Sequence, residues 1–309
     1  VPGTTIDRQC GSSQQAIHFA AQGVMAGAYD VAIACGVEVM SSHPIGLAAL
    51  GQDPYGPWVR ARYSHGLVNQ GVSAELVAAR YGLSRDVLDA YASRSHRLAA
   101  AAHFDGEILP VRTDADSPWH DTDETVRPGT TVEALADLPP AFRDDRLGER
   151  FPEIDWRITA GNSSPLTDGA SAVLIASEDA AARLGLTPRA RFHSFAVTGS
   201  DPVEMLTGVI PATQRLIDRS GIPLADIDSY EINEAFASVP LAWQQHFGAD
   251  PDRLNPRGGA IALGHALGSS GTRLLTTLVG TLEQTGGTFG LQVMCEGGGM
   301  ANATLLERL

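Results

Sequence analysis

Cysteine is scarce in this chain: 309 residues carry three, at positions 10, 35 and 295. Spaced so widely, they form no disulfide framework and no CxxC metal knuckle, a usage that suits a reducing cytoplasm. Basic tracts are absent as well. Lys and Arg total 22 against 36 Asp and Glu, a net charge of −14, and that balance excludes nucleic acid as an expected partner. An anionic ligand would need local help from arginines, backbone amides or helix N-termini. No apolar run reaches membrane-spanning length, so no membrane insertion is expected. Aromatic residues make up only 6%, whereas 33 glycines imply many tight turns and close backbone approaches.

What is present is a strand–helix–strand grammar at both ends of the chain. Ile17, Ala20, Ala21, Val24, Met25 and Ala28 recur at helical spacing, which predicts a helix from Gly11 onward with Cys10 at its N-terminus. VAIACG, ending at Gly36, reads as a buried strand, and the order suggests a parallel sheet with Cys35 in its core. Between about Met40 and Asp155, proline, glycine and charge interrupt the pattern. Helices are expected there only near Val72 and from Ser84, whose hydroxyl is a plausible N-cap. DADSPWHDTDETVRPGTT reads as an exposed acidic loop. Core patterning then returns. Asp168–Ser171 is expected as a short helix or turn, followed by strands at 172–176, 190–197, 227–232, 289–295 and 301–307 and helices at 178–184, 211–220, after Asn233–Ala237 as far as Phe247, and 269–285.

Several positions could carry chemistry. A thiol at a helix N-terminus meets the positive end of the macrodipole, which favours thiolate and so a nucleophile. The bland alternative for Cys10 is a small buried hydrophobe, although Gly11, Ser12 and Ser13 leave it sterically approachable. Cys295 ends an apolar strand that opens into Gly297-Gly298-Gly299. Such glycines let backbone amides converge on an oxyanion; no GK[ST] follows to make a phosphate loop. His265, in GGAIALGHALGSSGTR, is a base or a core histidine. Asn233 and Glu234 end a buried strand and need partners or a task. No ligand spacing supports a metal site.

RQCGSSQQA, GVEVMS, NSSPLTDGASAVL, NEAFAS, GGAIALGHALGSSGTR and CEGGGMANA, in this order, together resemble the thiolases, acyltransferases that cleave 3-ketoacyl-CoA or condense two acyl-CoAs. The resemblance covers nearly the whole chain. It implies an α/β thiolase fold: two similar βαβαβαββ halves in five αβαβα layers, with a large loop domain. It divides the chain into an N-terminal domain at 1–39 and 156–182, a loop domain at 40–155 and a C-terminal domain at 183–309. It implies that Cys10 is the acylated nucleophile, Cys295 the proton-shuttling second cysteine, His265 the activating base and Asn233 the holder of an oxyanion-site water. The amides of Cys10 and Gly297 would form the other oxyanion site. Ser194 would contact pantetheine, and Asn69, Ala235, Phe236 and Met300 would contact substrate or CoA. No tightly bound cofactor is implied; CoA is a co-substrate, acyl-CoA the partner, and the assembly a homodimer or homotetramer.

Departures refine this. Asn69 stands where short-chain members carry histidine, which favours degradation of longer or bulkier acyl chains and, with RQCGSSQQA and NQGVSAE, resembles actinobacterial lipid or steroid thiolases. The expected reaction is CoA-dependent cleavage of 3-ketoacyl-CoA to acetyl-CoA or propionyl-CoA. The alternatives are biosynthetic condensation of two acetyl-CoA and a non-catalytic acyl-CoA or lipid binder. Glu296 sets a carboxylate beside Cys295. The resemblance also implies a strand–helix–strand–helix unit ahead of the nucleophile, absent before Cys10, so exposed core and poor solubility are expected of this chain alone. A haloacetamide is expected to label Cys10 before Cys35.

Overall fold

The structure, a computed structural model, describes residues 1–309. Its helices are α1 Ser12–Met25, α2 Pro57–Arg62, α3 Gln70–Arg80, α4 Arg85–Ala101, α5 Val132–Ala136, α6 Asp145–Arg150, α7 Glu178–Leu184, α8 Val209–Ser220, α9 Ser238–Phe247, α10 Ala260–Leu263 and α11 Ser270–Thr285. The strands are β1 Val31–Val39, β2 Asp168–Ala176, β3 Ala190–Gly199, β4 Ser229–Ile232, β5 Phe289–Glu296 and β6 Met300–Arg308. Asp168 to Ser171, expected as a helix or turn, already belong to β2: their small side chains alternate across the ladder, and no apolar stripe recurs at helical spacing.

Two sheets form. β1 and β2 pair antiparallel, Cys35 opposite Ala172, and not parallel as the local pattern suggested. The strand order in the other sheet is β3-β6-β5-β4, with only β4 and β5 parallel. Long-range return of the chain from residue 39 to 168 permits either direction, so local strand–helix order cannot decide it.

α1 and α11 lie side by side between the sheets. Gly271 makes this approach feasible, because a Cβ there would collide with the backbone of Gln14. Polar side chains buried along this contact are held by hydrogen bonds across it. Gln14 Nε2 donates to Thr304 Oγ1 at 2.8 Å, His18 Nε2 meets the same hydroxyl at 2.8 Å, and Gln292 Nε2 donates to the carbonyl of Gly271 at 2.7 Å. α8 covers the far side of the second sheet, where Leu216, Ala212 and Val209 join a large core with Trp243, Tyr230 and Leu305. The outer face of β1–β2 carries no helix. Ile33 is 68% exposed, Val37 67% and Leu174 54%. Cys35 lies on this same outward row, so it is exposed rather than core: strand alternation aims its neighbours Ala32 and Ala34 inward.

Residues 40–155 are anchored to the rest by buried carboxylates. Glu75 accepts the amides of Arg157 and Ile158, each at 2.7 Å, and Asp89 accepts Asn162 Nδ2 at 2.8 Å. Asn69, Ser84, Thr131, Asp144 and Ser177 each cap a helix N-terminus through the side chain.

Candidate active site

Cys10 sits in a tight turn that leads into α1. Gln9 takes a left-handed conformation, φ 53°, and the turn closes by Gly11 N to Arg8 O at 3.0 Å and Ser12 N to Gln9 O at 3.1 Å. This turn lies against the end of β5: a Cβ on Gly11 would strike the Glu296 carboxylate, so any side chain there must displace it. The amide of Gly297, the side chain of Gln70 and Cys10's own amide lie close enough to the Cys10 thiol to favour its ionised form. Those amide donors are the pair expected to serve an oxyanion.

The thiol is 3% exposed and touches Leu274 and Met294. Burial first, then the Glu296 charge, push it up to about 11, although its hydrogen bonds oppose the rise. The expectation that the macrodipole would lower it is corrected here: loss of solvation by a buried thiolate outweighs a helix-end interaction of about 0.3–1 kcal/mol. Exposure of the two thiols runs the other way from the expected labelling order: Cys35 is exposed and Cys10 is buried.

Cys295 adjoins Cys10. Burial raises it, with the neighbouring Cys10 charge as the next cause, and Asn233 hydrogen-bonds to it. Asn233 Nδ2 also reaches His265 Nε2 at 3.4 Å, while its Oδ1, fully buried, has no protein partner. His265 Nδ1 lies 2.6 Å from Ser270 Oγ, which itself donates to the carbonyl of Ala266 at 2.9 Å. The serine proton is therefore committed, so the imidazole carries its proton on Nδ1 and its lone pair on Nε2. Burial, then Arg273, lower His265 to about 4, which keeps it neutral.

Glu234 has a task after all. Its carboxylate accepts Tyr91 Oη at 2.9 Å, Ser95 Oγ at 2.7 Å, Asn255 Nδ2 at 2.9 Å and the amide of Ile261 at 3.1 Å. It thereby pins the loop that ends at His265. Gly259 must lack a side chain for this carboxylate to fit.

The remaining expected contacts divide. Met300 opens β6 opposite Glu296, and Ala235 and Phe236 are buried beside the loop of Ser163 and Ser164. Asn69 is exposed, and its Oδ1 accepts the amide of Val72 at 3.0 Å as the cap of α3; Gln70, one residue on, faces the thiol instead. Ser194 lies on β3, away from the glycine turn. It pairs with Leu305 on the β3–β6 ladder, whereas the glycine turn meets β3 at Gly199. Five residues of strand separate them, about 17 Å at 3.3–3.4 Å per residue. Sequence reasoning misses Gln70 and Arg8, although both flank motifs that mark the site. No group of three or more His, Cys, Asp or Glu side chains is gathered to hold a metal, and no helix is long and apolar enough to cross a membrane.

Two family models match the chain. The N-terminal thiolase domain matches residues 1–179 and the C-terminal thiolase domain residues 186–308. The chain belongs to the thiolase family. Among curated thiolases it is 46% identical to a steroid 3-ketoacyl-CoA thiolase of Mycobacterium tuberculosis, over 100% of this chain and 75% of that protein. It is 42% identical to a 3-ketoacyl-CoA thiolase of Erwinia tasmaniensis, over 100% of this chain and 79% of the relative. Of solved thiolase structures, human mitochondrial 3-ketoacyl-CoA thiolase superposes with a TM-score of 0.87 at 35% identity, over 99% of this chain and 79% of that one. Bacillus anthracis acetyl-CoA acetyltransferase gives 0.85 at 35% identity, over 100% and 79%. The thiolase fold expected from the motifs is the fold of this chain.

Proposed function

We propose that this thiolase degrades 3-ketoacyl-CoA, using CoA to release acetyl-CoA or propionyl-CoA and a shortened acyl-CoA, and that Cys10 carries the acyl group between the two half-reactions. The observation that supports it most is the convergence of the Gly297 amide, the Cys10 thiol, Cys295, Asn233 and a neutral His265 in one buried cluster. The relatives at 42–46% identity bear degradative names, one of them for steroid substrates, which favours bulky acyl groups over acetyl.

In this reading His265 takes the Cys10 proton, and the thiolate adds to the keto carbon. The resulting alkoxide is met by the Cys10 and Gly297 amides, already aimed at it, and preorganised donors of this kind contribute about 3–4 kcal/mol each. Collapse breaks the bond between the α-carbon and the former keto carbon. The shortened acyl group stays on Cys10 as a thioester, and the departing enolate takes its proton from the Cys295 thiol. CoA then gives its thiol proton to the Cys295 thiolate and attacks the thioester, and Cys10 leaves to recover its proton from His265. Kinetics of this type are ping-pong. Free CoA is thus a co-substrate, and the working form is a homodimer or homotetramer in a reducing cytoplasm.

The test is cleavage of a series of 3-ketoacyl-CoA chain lengths and a steroid side-chain CoA, with acetyl-CoA and propionyl-CoA quantified by chromatography. Turnover should require CoA and vanish in Cys10→Ala. Undiminished cleavage by Cys10→Ala, or turnover of acetoacetyl-CoA alone, would overturn the reading.

A further inference from the structure

Glu296 and Arg8 have no part in the scheme above, yet they form the one ion pair that touches the nucleophile's turn. Arg8 Nε lies 2.9 Å from Glu296 Oε2 and donates to Asn302 Oδ1 at 3.0 Å; the glutamate side chain is 0% exposed and the arginine 20%. Asn302 Nδ2 in turn donates to the carbonyl of Gly11 at 3.5 Å. Arg8 closes the same turn from the other side, its amide donating to Ser12 Oγ at 2.9 Å. The carboxylate occupies the space that a Cβ on Gly11 would need, between α1's first residue and the strand that delivers Gly297.

We propose that the Arg8–Glu296 pair is a positioning device for the Cys10 nucleophile: it seats the Gln9–Ser12 turn on the β5–β6 glycine turn and sets a guanidinium and a titratable carboxyl group beside the thiol. The inference rests on Cys10 being the nucleophile. A buried carboxylate must keep its partner, because removing one member of a buried pair leaves an uncompensated charge. In keeping with this, the Glu296 charge acts against ionisation of both Cys10 and Cys295, and Arg8 is the charge that opposes the rise of Glu296 itself to about 8. One guanidinium nitrogen, Nε, serves both neighbours: its hydrogen goes to Asn302 Oδ1 while Glu296 Oε2 lies 2.9 Å from it without a hydrogen bond, a spacing that a lysine ammonium on a flexible stem does not hold equally well.

The test is the pH profile of Cys10 alkylation by iodoacetamide in the full chain with Cys35→Ser as background, read peptide by peptide in a mass spectrometer. No ketoacyl-CoA is needed, so the outcome is separate from that of the cleavage assay. Glu296→Gln should lower the alkylation midpoint, and Arg8→Gln should raise it, each by at least about half a pH unit. Arg8→Lys should bring the midpoint back toward wild type while kcat stays about tenfold low with KM little changed. Midpoints that coincide in all three variants, or that move the same way in Glu296→Gln and Arg8→Gln, would overturn the proposal. Should Glu296→Gln fail to fold, the comparison of Arg8→Gln with Arg8→Lys decides: equal midpoints sink it.

Discussion

The hydroxyl of Ser270 stands 2.6 Å from Nδ1 of His265 and donates its own hydrogen bond to the carbonyl of Ala266. One serine on the first turn of α11 therefore fixes which imidazole nitrogen is basic. Ser270→Ala frees the ring to adopt the other tautomer. We expect kcat to fall by about tenfold to a hundredfold, part of the 10²–10⁴ that a positioned base contributes, with CoA binding little changed. An unaltered kcat would count against a fixed tautomer.

Cys295→Ala separates the two sulfurs. Acylation of Cys10 by a short acyl-CoA should persist, because the Gly297 amide and Cys10 are untouched. Exchange of the acetyl-CoA α-protons with deuterated water should stop. Equal exchange in variant and wild type removes Cys295 from the proton path.

Gln70 hydrogen-bonds the buried Cys10 thiol, and that bond lowers the thiol's pKa. Gln70→Ala should shift the alkylation midpoint of Cys10 upward while raising the plateau rate, since a half-buried side chain no longer screens the sulfur. A lower midpoint contradicts the assignment.

Two buried glutamates and two buried histidines set opposite pH responses. Glu231 and Glu296 are raised to about 8, chiefly by burial, from an ordinary 4.5. The folded state thus binds more protons than the unfolded between these values, and their stabilisation is complete below 4.5 and lost as pH climbs to about 8. His18 and His265, lowered by burial to about 3 and about 4 from 6.5, do the reverse: their stabilisation is complete above 6.5 and lost on acidification. Between pH 6.5 and 8 the glutamates act alone among these groups, so Tm should fall across that window. Glu231→Gln should flatten part of the slope, at most about 1.4 kcal/mol per pH unit. Thermal melts at three pH values test it, and an unchanged slope would refute the role of Glu231.

The outward row of Ile33, Val37 and Leu174 is a contiguous apolar face. Patches of this kind drive association. The 309-residue chain should self-associate with rising concentration in analytical ultracentrifugation, and Val37→Lys with Leu174→Glu should suppress this. A monodisperse wild-type monomer at high concentration would contradict the expectation.

Much of the site is legible in the amino-acid sequence, because motif residues sit at backbone singularities that residue type marks directly. Cys10 precedes a helical stripe, Gly297–Gly299 end an apolar strand, and His265 lies in a glycine-rich run. The placement of Asn69 and Ser194 is not legible in this way, for the same reason in reverse. Nothing in a linear pattern says that Asn69 spends its oxygen on a helix cap while Gln70 turns to the thiol, or that Ser194 lies five ladder positions from the turn.

By itself the sequence determined the family, the motifs that meet in one cluster and the lengths of the main elements, because these depend on local periodicity and residue type. The tertiary structure alone decided the antiparallel pairing of β1 with β2, the outward aim of Cys35, and the high pKa of Cys10. Each is a property of how segments far apart in the chain enclose one another. The dielectric around a thiol, like the partner of a strand, exists only once residue 11 has met residue 296.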